Sequence, residues 1–218
     1  MSVAHCRLLH FRSDSSRLLR DAPPQPLRSR MSRLPLILAS ASPRRADLLR
    51  QLGLDFQVVP SAAPEVHREQ LTARELCQIN AYRKARAVAR QHPDSLVLGA
   101  DTLVCLGNRL YGKPADLADA ARMLAELEGR THQVITGVCL THQRKHRRRL
   151  FAAITDVTFR ALDAAAIERY LEHVHPLDKA GAYAIQERGE LIVHEISGSF
   201  SNVVGLPVEQ LQMELSAF

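Results

Sequence analysis

The sequence predicts an α/β fold in which helices flank a mixed, twisted β-sheet. In the first half of the chain, short apolar runs alternate with stretches of helical periodicity, a pattern typical of parallel strands joined by helices. Further along, two longer strand-like segments follow one another with no helix between them, which indicates an antiparallel pair. With 218 residues, 46% of them hydrophobic and 24% charged, the chain can bury one sizeable core and is not composed like a disordered protein.

The first strand and the first helix lie on either side of a serine-proline pair. The apolar run Leu34–Ala39 is typical of a buried strand. Ser42 is a favoured helix N-cap, and Pro43 suits the first helical turn, where its missing N–H is not needed. We expect this helix to end before Gly53, because glycine readily adopts the left-handed conformation that closes a helix.

A second strand and a long helix are predicted next, on either side of a polar segment. Phe56–Val59 has the length and composition of a short strand. Thr72 and Glu75 have the spacing of a capping box, in which each side chain accepts a hydrogen bond from the other residue's backbone N–H. The helix that they open is expected to run to about Gln91, because apolar residues recur at helical spacing up to that point.

The remaining elements are separated by turn residues and by a basic loop. The strands are predicted at Leu96–Ala100 with an extended continuation to Leu106, at Arg109–Tyr111, at Val134–Thr141, at Ala152–Phe159 and at Leu191–Ile196. The helices are predicted at Asp116–Glu128, Asp163–Glu172 and Val208–Leu215. Gly107 and Asn108 form a hairpin-turn pair, and the basic run Arg144–Arg149 is expected to be the surface loop of the longer pair of strands.

Most of the net charge of +6 lies in the N-terminal segment 1–33, which holds seven arginines and two acids. A basic surface over the folded part is therefore not implied, and we expect no nucleic acid among the partners. The segment has little periodicity, so we predict a disordered leader at 1–33, or a true start at Met31, followed by one domain at 34–218. A transit peptide and an ordered basic arm are the alternatives, whereas no secretory signal is visible.

The cysteines and the apolar segments indicate where the protein works. Four cysteines are scattered along the chain without a C-x-x-C pair, at Cys6, Cys77, Cys105 and Cys139. This argues against a disulfide scaffold, a zinc ribbon and a thioredoxin-type site, and it favours a reducing compartment, so we expect a cytoplasmic protein. No run of about 18 apolar residues is present, and we therefore expect no membrane partner.

Two motifs at predicted strand ends have residue types that bind phosphate, hold a metal ion or activate a water. Ser42, Arg44 and Arg45 open the first helix, where free N–H groups attract anions and the arginines add paired donors. Asp101 and Thr102 follow the third strand, and an acid there can hold Mg²⁺ or activate a water. Each motif also fits a structural role, the first as a capped helix with solvated arginines and the second as a turn.

Further candidate site residues are weaker indications of function when each is taken alone. Lys113 lies in a Gly-Lys-Pro turn and Lys84 on the long helix, and a solvated surface role is the alternative for both. Glu65, in the polar segment after the second strand, is a second candidate metal-binding carboxylate. Gln186 ends a block of small residues that starts at Asp178, and its amide can bind both a donor and an acceptor on a base.

In their order along the chain, these motifs resemble the Maf family of nucleoside triphosphate pyrophosphatases, also called septum-formation inhibitor homologues. The resemblance covers 34–218, and the stretches that carry it are LILASASPRRADLLRQLGLDF, KARAVA, GADTLV, GKPADLADAARMLAELEGRTHQVITGV, DVTFR, PLDKAGAYAIQ and GSFSNVVGLP. It implies a Maf or inosine-triphosphatase-like fold and hydrolysis of a nucleoside triphosphate to the monophosphate and pyrophosphate. It also implies a divalent cation, Mg²⁺ or Mn²⁺, as cofactor, and it allows the homodimer that is common in this family.

The resemblance also implies roles for individual residues. Asp101 takes the position of the family's proton acceptor and, with Glu65, that of its metal ligands. The phosphate-binding positions are Ser42, Arg45, Lys84 and Lys113. The positions that select the substrate are Arg44, Thr102 and Gln186, and all three match the branch that acts on dTTP and UTP. The family often has two acids in the loop with Glu65, and here Pro64 takes the place of the first.

The resemblance thus predicts an enzyme that hydrolyses dTTP and UTP, with modified pyrimidine triphosphates as natural further substrates in cleaning the nucleotide pool. Three alternatives stay open. The first is the related branch that acts on 7-methyl-GTP, and the second is a regulator of cell division that binds a nucleotide without turnover. The third, a nucleic-acid-binding protein, would use the leader and Arg144–Arg149 and would lose affinity steeply with salt.

Overall fold

The computed structural model describes residues 34–68 and 70–218. Within these ranges, seven strands form one sheet: β1 (Leu36–Leu38), β2 (Phe56–Val58), β3 (Leu96–Leu106), β4 (Arg109–Tyr111), β5 (Thr131–His142), β6 (Arg147–Phe159) and β7 (Val193–Ser197). The α-helices of the same ranges are α1 (Pro43–Gln51), α2 (Ala73–Ala89), α3 (Leu117–Leu127), α4 (Ala164–Leu171), α5 (Gly189–Ile192), α6 (Phe200–Val204) and α7 (Val208–Ala217). The predicted leader and the alternative start at Met31 lie outside the described residues, so the domain boundary at residue 34 stays a prediction.

The sheet is mixed, as the sequence predicts. Its strand order is β2-β1-β3-β5-β6-β7, and β4 pairs with the far end of β3. β1 runs parallel to β2 and β3, whereas β3, β5, β6 and β7 pair antiparallel in turn. The short strands and helices of the first half, together with the direct β5–β6 connection of the second half, confirm the predicted fold class.

Several predicted boundaries differ from the structure, among them the start of β5, which is Thr131 and not Val134. β3 is one strand of 11 residues, because nearly its whole length pairs with β5. β6 begins at Arg147, which pairs with His142, so half of the basic run predicted as a loop belongs to the strand and only 143–146 connect the pair. The strand predicted from Leu191 begins at Val193, because α5 occupies the four preceding residues.

Two glycines let α2 pack directly on the middle of the sheet. A Cβ on Gly99 would lie 2.4 Å from the carbonyl oxygen of Ala81, and a Cβ on Gly137 would lie 2.4 Å from that of Cys77. Both distances are far below van der Waals contact, so only glycine permits this close approach. Gly137 pairs with Asp101 across the β3–β5 ladder, and the approach therefore brings α2 onto Asp101.

The helix starts follow the predicted caps with one exception. Thr72 and Glu75 form a complete capping box at α2. The side chains of Asp116 and Asp163 accept backbone N–H groups at the starts of α3 and α4. The Ser42 side chain, in contrast, makes no capping bond at α1, so it does not occupy the N–H groups of that first turn.

The two faces of the sheet are covered by different helices. α2 lies on one face, and α1, α6 and α7 pack on the other around Leu49, Leu98 and Leu206, where full burial of one leucine contributes roughly 1.5–3 kcal/mol. A further cluster packs α3 and α4 around Tyr170 and Phe159. None of the helices in the described ranges combines the length and the apolar character needed to cross a bilayer.

Candidate active site

A cavity of about 750 Å³ opens beyond the end of β1 and beside the middle of β3. Its volume is in the range of ordinary ligand pockets, roughly 300–1,000 Å³. Segments that are far apart in the sequence meet there, because β1 pairs with β3 in the sheet and α1 starts shortly after the end of β1. All nine site residues predicted from the sequence line this cavity: Ser42, Arg44, Arg45, Glu65, Lys84, Asp101, Thr102, Lys113 and Gln186.

Asp101 is a buried carboxylate that two side chains of α2 hold in place. Its Oδ1 accepts a hydrogen bond from Nζ of Lys84 at 2.6 Å, and its Oδ2 accepts one from Nδ2 of Asn80 at 3.1 Å. Asp101 is only 5% exposed and lines the cavity. Because a carboxylate has about four lone-pair positions, it can accept a further hydrogen bond from a water in the cavity.

Asn80 is a site residue that the sequence analysis missed. Besides holding Asp101, its Nδ2 donates to the backbone oxygen of Val66 at 3.3 Å, and its Oδ1 accepts the N–H of Val66 at 2.7 Å. This amide therefore ties the loop that carries Glu65 to α2. A signal was present, since Asn80 lies four residues before Lys84 and so on the same face of the helix, where a buried polar residue needs a partner.

Lys84 joins two carboxylates. Its Nζ donates to Oε1 of Glu65 at 2.7 Å as well as to Asp101. Partial burial alone would raise the pKa of Glu65, but the hydrogen bond and the charge of Lys84, followed by the charges of Lys113 and His67, lower this pKa overall. Glu65 is therefore ionised at neutral pH, and its side chain is 43% exposed.

The two carboxylates suit a divalent cation that is shared with a substrate. Glu65 and Asp101 both contact the Lys84 ammonium, at 2.7 and 2.6 Å, so their negative charges converge on one point. Mg²⁺ prefers oxygen ligands and is usually bound by one or two carboxylates together with substrate phosphates. Across the described ranges no group of three or more His, Cys, Asp or Glu side chains could hold a metal ion. Glu65 and Asp101 would supply two oxygen ligands to such a cation, and phosphate oxygens of a ligand would have to supply others.

Arg45 lies on the other face of β3, where it joins three segments. Its side chain donates four hydrogen bonds, to the backbone oxygens of Gly205 (2.8 Å) and Ala100 (3.0 Å) and to the hydroxyls of Ser40 (3.2 Å) and Thr102 (2.9 Å). Burial lowers the pKa of Arg45, and the charge of Asp101 opposes this effect. A guanidinium has five N–H donors, so the predicted contact of Arg45 with phosphate is limited to one N–H on Nη2.

Thr102 is engaged in the same network. Its Oγ1 accepts from Arg45 and lies 3.0 Å from Oγ1 of Thr136. Thr136 donates its own proton to the backbone oxygen of Asn202 at 3.2 Å, so Thr102 is the donor toward Thr136. Thr102 therefore keeps one lone pair for a ligand, and its role in substrate selection stays a prediction.

Arg44 reaches across the cavity to Asp178. Its Nη1 donates to Oδ2 of Asp178 at 2.8 Å, and its Nη2 donates to that residue's backbone oxygen at 3.3 Å. Lys179, only 4% exposed, holds the other oxygen of Asp178 at 2.8 Å and contacts Glu187 at 3.3 Å. Partial burial would raise the pKa of Asp178, but hydrogen bonds from Lys179 and Arg44 lower it overall. The sequence analysis gave Asp178 and Lys179 no role, although their opposite charges in a small-residue block were a signal.

Lys113 and Gln186 are two exposed side chains of the cavity wall. Lys113 follows β4, in a turn that is fixed because the N–H of Gly181 donates to the backbone oxygen of Gly112 at 3.0 Å. Within the part of the chain that the structure describes, neither Lys113 nor Gln186 contributes a side-chain hydrogen bond or ion pair to another residue. Both are therefore available to a ligand.

The charged lining favours an anion. The basic side chains are Arg44, Arg45, Lys84, Lys113 and Lys179, and the acidic side chains are Glu65, Asp101 and Asp178. The cations spread along the wall from the start of α1 to the turn after β4. A ligand with several negative charges, such as a polyphosphate, matches this distribution.

Most of this chain is similar to known proteins. A family model described as Maf-like protein matches residues 35–218. A dTTP/UTP pyrophosphatase from Moorella thermoacetica is 50% identical over 183 residues, which are 84% of this chain and 94% of that protein. A protein of the same name from Bacillus velezensis is 46% identical, over 84% of this chain and 96% of that protein. Another from Gloeobacter violaceus is 47% identical, over 84% of this chain and 95% of that protein. A solved HAM1 protein from Coxiella burnetii superposes with a TM-score of 0.47 at 15% identity, covering 85% of this chain and 100% of that chain.

Proposed function

This chain belongs to the Maf-like protein family, and on that premise we propose that it hydrolyses dTTP and UTP to the nucleoside monophosphate and pyrophosphate. The observation that carries the proposal is the convergence of all nine predicted residues on one cavity, with the Asp101 carboxylate oriented by Lys84 and Asn80. The names and high identities of the curated relatives support the same reaction. They favour it over the 7-methyl-GTP branch and over a regulator without turnover.

Asp101 acts on the attacking water in this proposal. Its free lone pairs accept the water proton while the water oxygen attacks phosphorus and the bond to the bridging oxygen breaks, which releases pyrophosphate. Lys84 and Asn80 fix the plane of the carboxylate, so its orientation does not depend on the substrate. General-base help of this kind is worth roughly 10²- to 10⁴-fold in rate.

The cations bind the phosphate chain. Lys113 is the exposed ammonium, and the first turn of α1 adds N–H groups that Ser42 does not cap. Arg44 exchanges its partner Asp178 for a phosphate oxygen, since a triphosphate carries about four negative charges and is the stronger acceptor. Glu65 and Asp101 would hold Mg²⁺ or Mn²⁺, which when bound neutralises charge that develops on the phosphate oxygens.

Gln186 selects the pyrimidine. An amide offers one acceptor and one donor group, which matches the carbonyl and N–H on the base edge of both dTTP and UTP. Rejection of other bases follows because a bound base displaces water from the amide of Gln186, and a donor or acceptor then left without a partner is costly. Modified pyrimidine triphosphates that keep this edge would also be accepted, which supports a role in cleaning the nucleotide pool.

The test is release of pyrophosphate from a panel of triphosphates with Mg²⁺ or Mn²⁺, for the full chain and for a chain that starts at Met31. We expect turnover of dTTP and UTP, and Asp101→Asn should raise the barrier by on the order of 3–5 kcal/mol. Asp55→Asn, the same exchange at an exposed position outside the cavity, is the control. Turnover of 7-methyl-GTP alone would overturn the pyrimidine assignment, and binding without any turnover would favour the regulator.

We infer further that the protein is a cytoplasmic homodimer that binds neither nucleic acid nor a membrane. The free, buried cysteines Cys77, Cys105 and Cys139 support a reducing compartment. Leu150 and Ile154 are exposed by 42% and 44% on one face of β6, which supports an apolar contact surface. Light scattering of the purified protein tests the dimer, and a mass of one chain at micromolar concentration would contradict it.

A further inference from the structure

Tyr170 holds the backbone of the segment that leads to Gln186. It lies on α4 and is fully buried. Its hydroxyl donates to the carbonyl oxygen of Ala184 at 3.2 Å and accepts the N–H of Ala184 at 3.0 Å. One side-chain atom therefore satisfies both polar backbone groups of a residue that lies two positions before Gln186. Ala184 and Gln186 line the cavity, whereas Tyr170 does not.

His132 holds the neighbouring residue of the same segment. Its Nε2 lies 2.9 Å from the hydroxyl of Tyr183, which also lines the cavity. His132 is 1% exposed on β5, and its ring packs edge-on against Phe159 and Tyr183 with centroids 4.7 and 5.5 Å apart. Two buried side chains from different elements thus anchor two consecutive residues of the cavity wall.

The turn before these anchors has an unfavourable backbone. Gly181 and Ala182 both have positive φ angles, 71° and 64°. A left-handed conformation is sterically unfavourable for alanine and persists only where the surrounding contacts determine it. Gly181 also bonds to Gly112, beside Lys113, so this turn connects the phosphate end of the cavity to its base end. If the anchors at 183–184 were removed, we would expect this turn to relax and Gln186 to move with it.

We propose that Tyr170 and His132 are positioning residues that set the nucleobase selectivity of the cavity without touching the substrate. They fix the backbone at Tyr183 and Ala184 and thereby the place from which Gln186 meets the base. The inference rests on the proposed function only in the identity of the ligand, a pyrimidine triphosphate. Its physical basis is that the Gln186 amide can distinguish bases by hydrogen bonds only if the amide is held in place. A misplacement of a site group by about 1 Å can cost on the order of 100-fold in rate.

The test compares dTTP with dCTP, whose exocyclic amine replaces a carbonyl acceptor with a donor. Tyr170→Phe keeps the ring and removes the hydroxyl, which leaves the N–H of Ala184 unpaired and its carbonyl with the N–H of Glu187 alone, at 3.3 Å. We expect the ratio of kcat/KM for dTTP to that for dCTP to fall about ten-fold, while kcat/KM for dCTP changes little, because the loss of one hydrogen-bonded anchor is of that size. His132→Leu should compress the same ratio, and His132→Gln, which keeps a polar partner for Tyr183, should restore part of it.

Two controls separate positioning from a loss of stability. Ile167→Val shortens a buried side chain on the same helix and touches no hydrogen bond, so it should lower stability without changing the ratio. Tyr82→Phe makes the same chemical change on α2, where the ring stacks with Arg86 and Arg148 and lies outside the cavity. Hydrogen exchange of the peptide at 183–187 should speed up in Tyr170→Phe alone among these three.

The outcomes distinguish this inference from the proposed function. If Tyr170→Phe lowered kcat/KM equally for dTTP and dCTP, or left the ratio of the two values unchanged, the positioning role would be overturned even if the wild type hydrolyses dTTP. If the wild type turned over no triphosphate, the proposed function would fail, and the ratio of dissociation constants for dTTP and dCTP would replace the kinetic ratio. Unchanged exchange at 183–187 together with an unchanged ratio of binding constants would then overturn the inference independently.

Discussion

Asn80 donates a hydrogen bond from Nδ2 to Oδ2 of Asp101 at 3.1 Å, and the same amide binds both backbone groups of Val66. A single buried side chain, 2% exposed, therefore orients the carboxylate of β3 and anchors the loop that carries Glu65. Lys84, one turn further along α2, contacts both acids. The position of α2 on the sheet thus controls the geometry of both candidate metal-binding carboxylates.

Asn80→Leu should impair both stability and catalysis. It leaves Asp101 with one of its two partners and leaves the N–H and the carbonyl of Val66 unpaired, which should lower the free energy of unfolding by about 1–3 kcal/mol. We expect kcat/KM for dTTP to fall roughly 10- to 100-fold, because the carboxylate and the Glu65 loop lose their orientation. Gln78→Leu, the same kind of exchange on the same helix, is the control. An Asn80→Leu enzyme within two-fold of the wild type would contradict the role of Asn80.

Gly137→Ala should separate α2 from the sheet. The new Cβ would lie 2.4 Å from the carbonyl carbon and oxygen of Cys77, and backbone atoms cannot rotate away, so the helix must shift. Overpacking of this kind costs about 1–3 kcal/mol in the free energy of unfolding. We also expect kcat/KM to fall, because the shift moves Asn80 and Lys84 away from Asp101. Urea denaturation and steady-state kinetics measure the two effects.

Gly107→Ala is the control for that variant. Gly107 has a φ of 58° in the β3–β4 turn, and no atom lies within 4 Å of a Cβ built there. Alanine should therefore cost about 1–2 kcal/mol through its left-handed conformation alone, far from α2. Equal kcat/KM values for the two variants under fully folded conditions would show that the α2 contact is not what aligns the site.

Arg45→Lys should destabilise the fold although the charge is retained. A lysine has three donors at a single point and cannot reach the four acceptors that the Arg45 side chain joins. We expect the free energy of unfolding to fall by about 2–4 kcal/mol, since buried acceptors are left unpaired. Arg50→Lys on the same helix is the control, because the Arg50 side chain is 62% exposed. A loss of less than about 1 kcal/mol for Arg45→Lys, measured by urea denaturation, would contradict this role.

The sequence predicted the fold class and singled out candidate site residues that line one cavity, because these signals are local. The Ser42-Pro43 helix start, the capping box at Thr72 and the apolar run that leads to Asp101 each follow from a few neighbouring residues. The predicted strand end at Asp101 was wrong, because Asp101 lies in the middle of β3, yet it still lines the same cavity as Ser42. The resemblance to a known family added the individual roles, which the local signals had left open.

What the sequence could not predict depends on tertiary distances. The contact of Asn80 with Asp101 depends on the close packing of α2 at Gly137, where an added Cβ would lie 2.4 Å from the carbonyl oxygen of Cys77. The hydrogen bonds of the Arg45 side chain could not be predicted either, because two of its acceptors are backbone oxygens, which every residue has. The basic run after β5 was assigned to a loop, since its pairing with His142 and its neighbours is a property of the ladder and not of its composition.

The burial of His132 predicts that the protein loses stability as the pH falls. Burial lowers the pKa of His132 to about 4, and the charge of Asp156 opposes this only in part. In the unfolded chain the pKa is close to the ordinary value of about 6.5. Between these two values the unfolded state binds more protons than the folded state, so stability rises with pH across this window. The stability that the neutral, buried His132 contributes is fully present above about pH 6.5 and is lost progressively down to about pH 4.

Urea denaturation at pH 7.5 and at pH 4.5 measures this effect. For one buried histidine the loss between these values should be on the order of 2–3 kcal/mol. His132→Phe removes the titrating group while keeping a ring against Phe159, so its free energy of unfolding should fall less than that of the wild type over the same interval. His194→Phe, at an exposed position on β7, should keep the wild-type dependence. If His132→Phe and the wild type lost the same stability, protonation of His132 would not be the cause, because no other group differs between them.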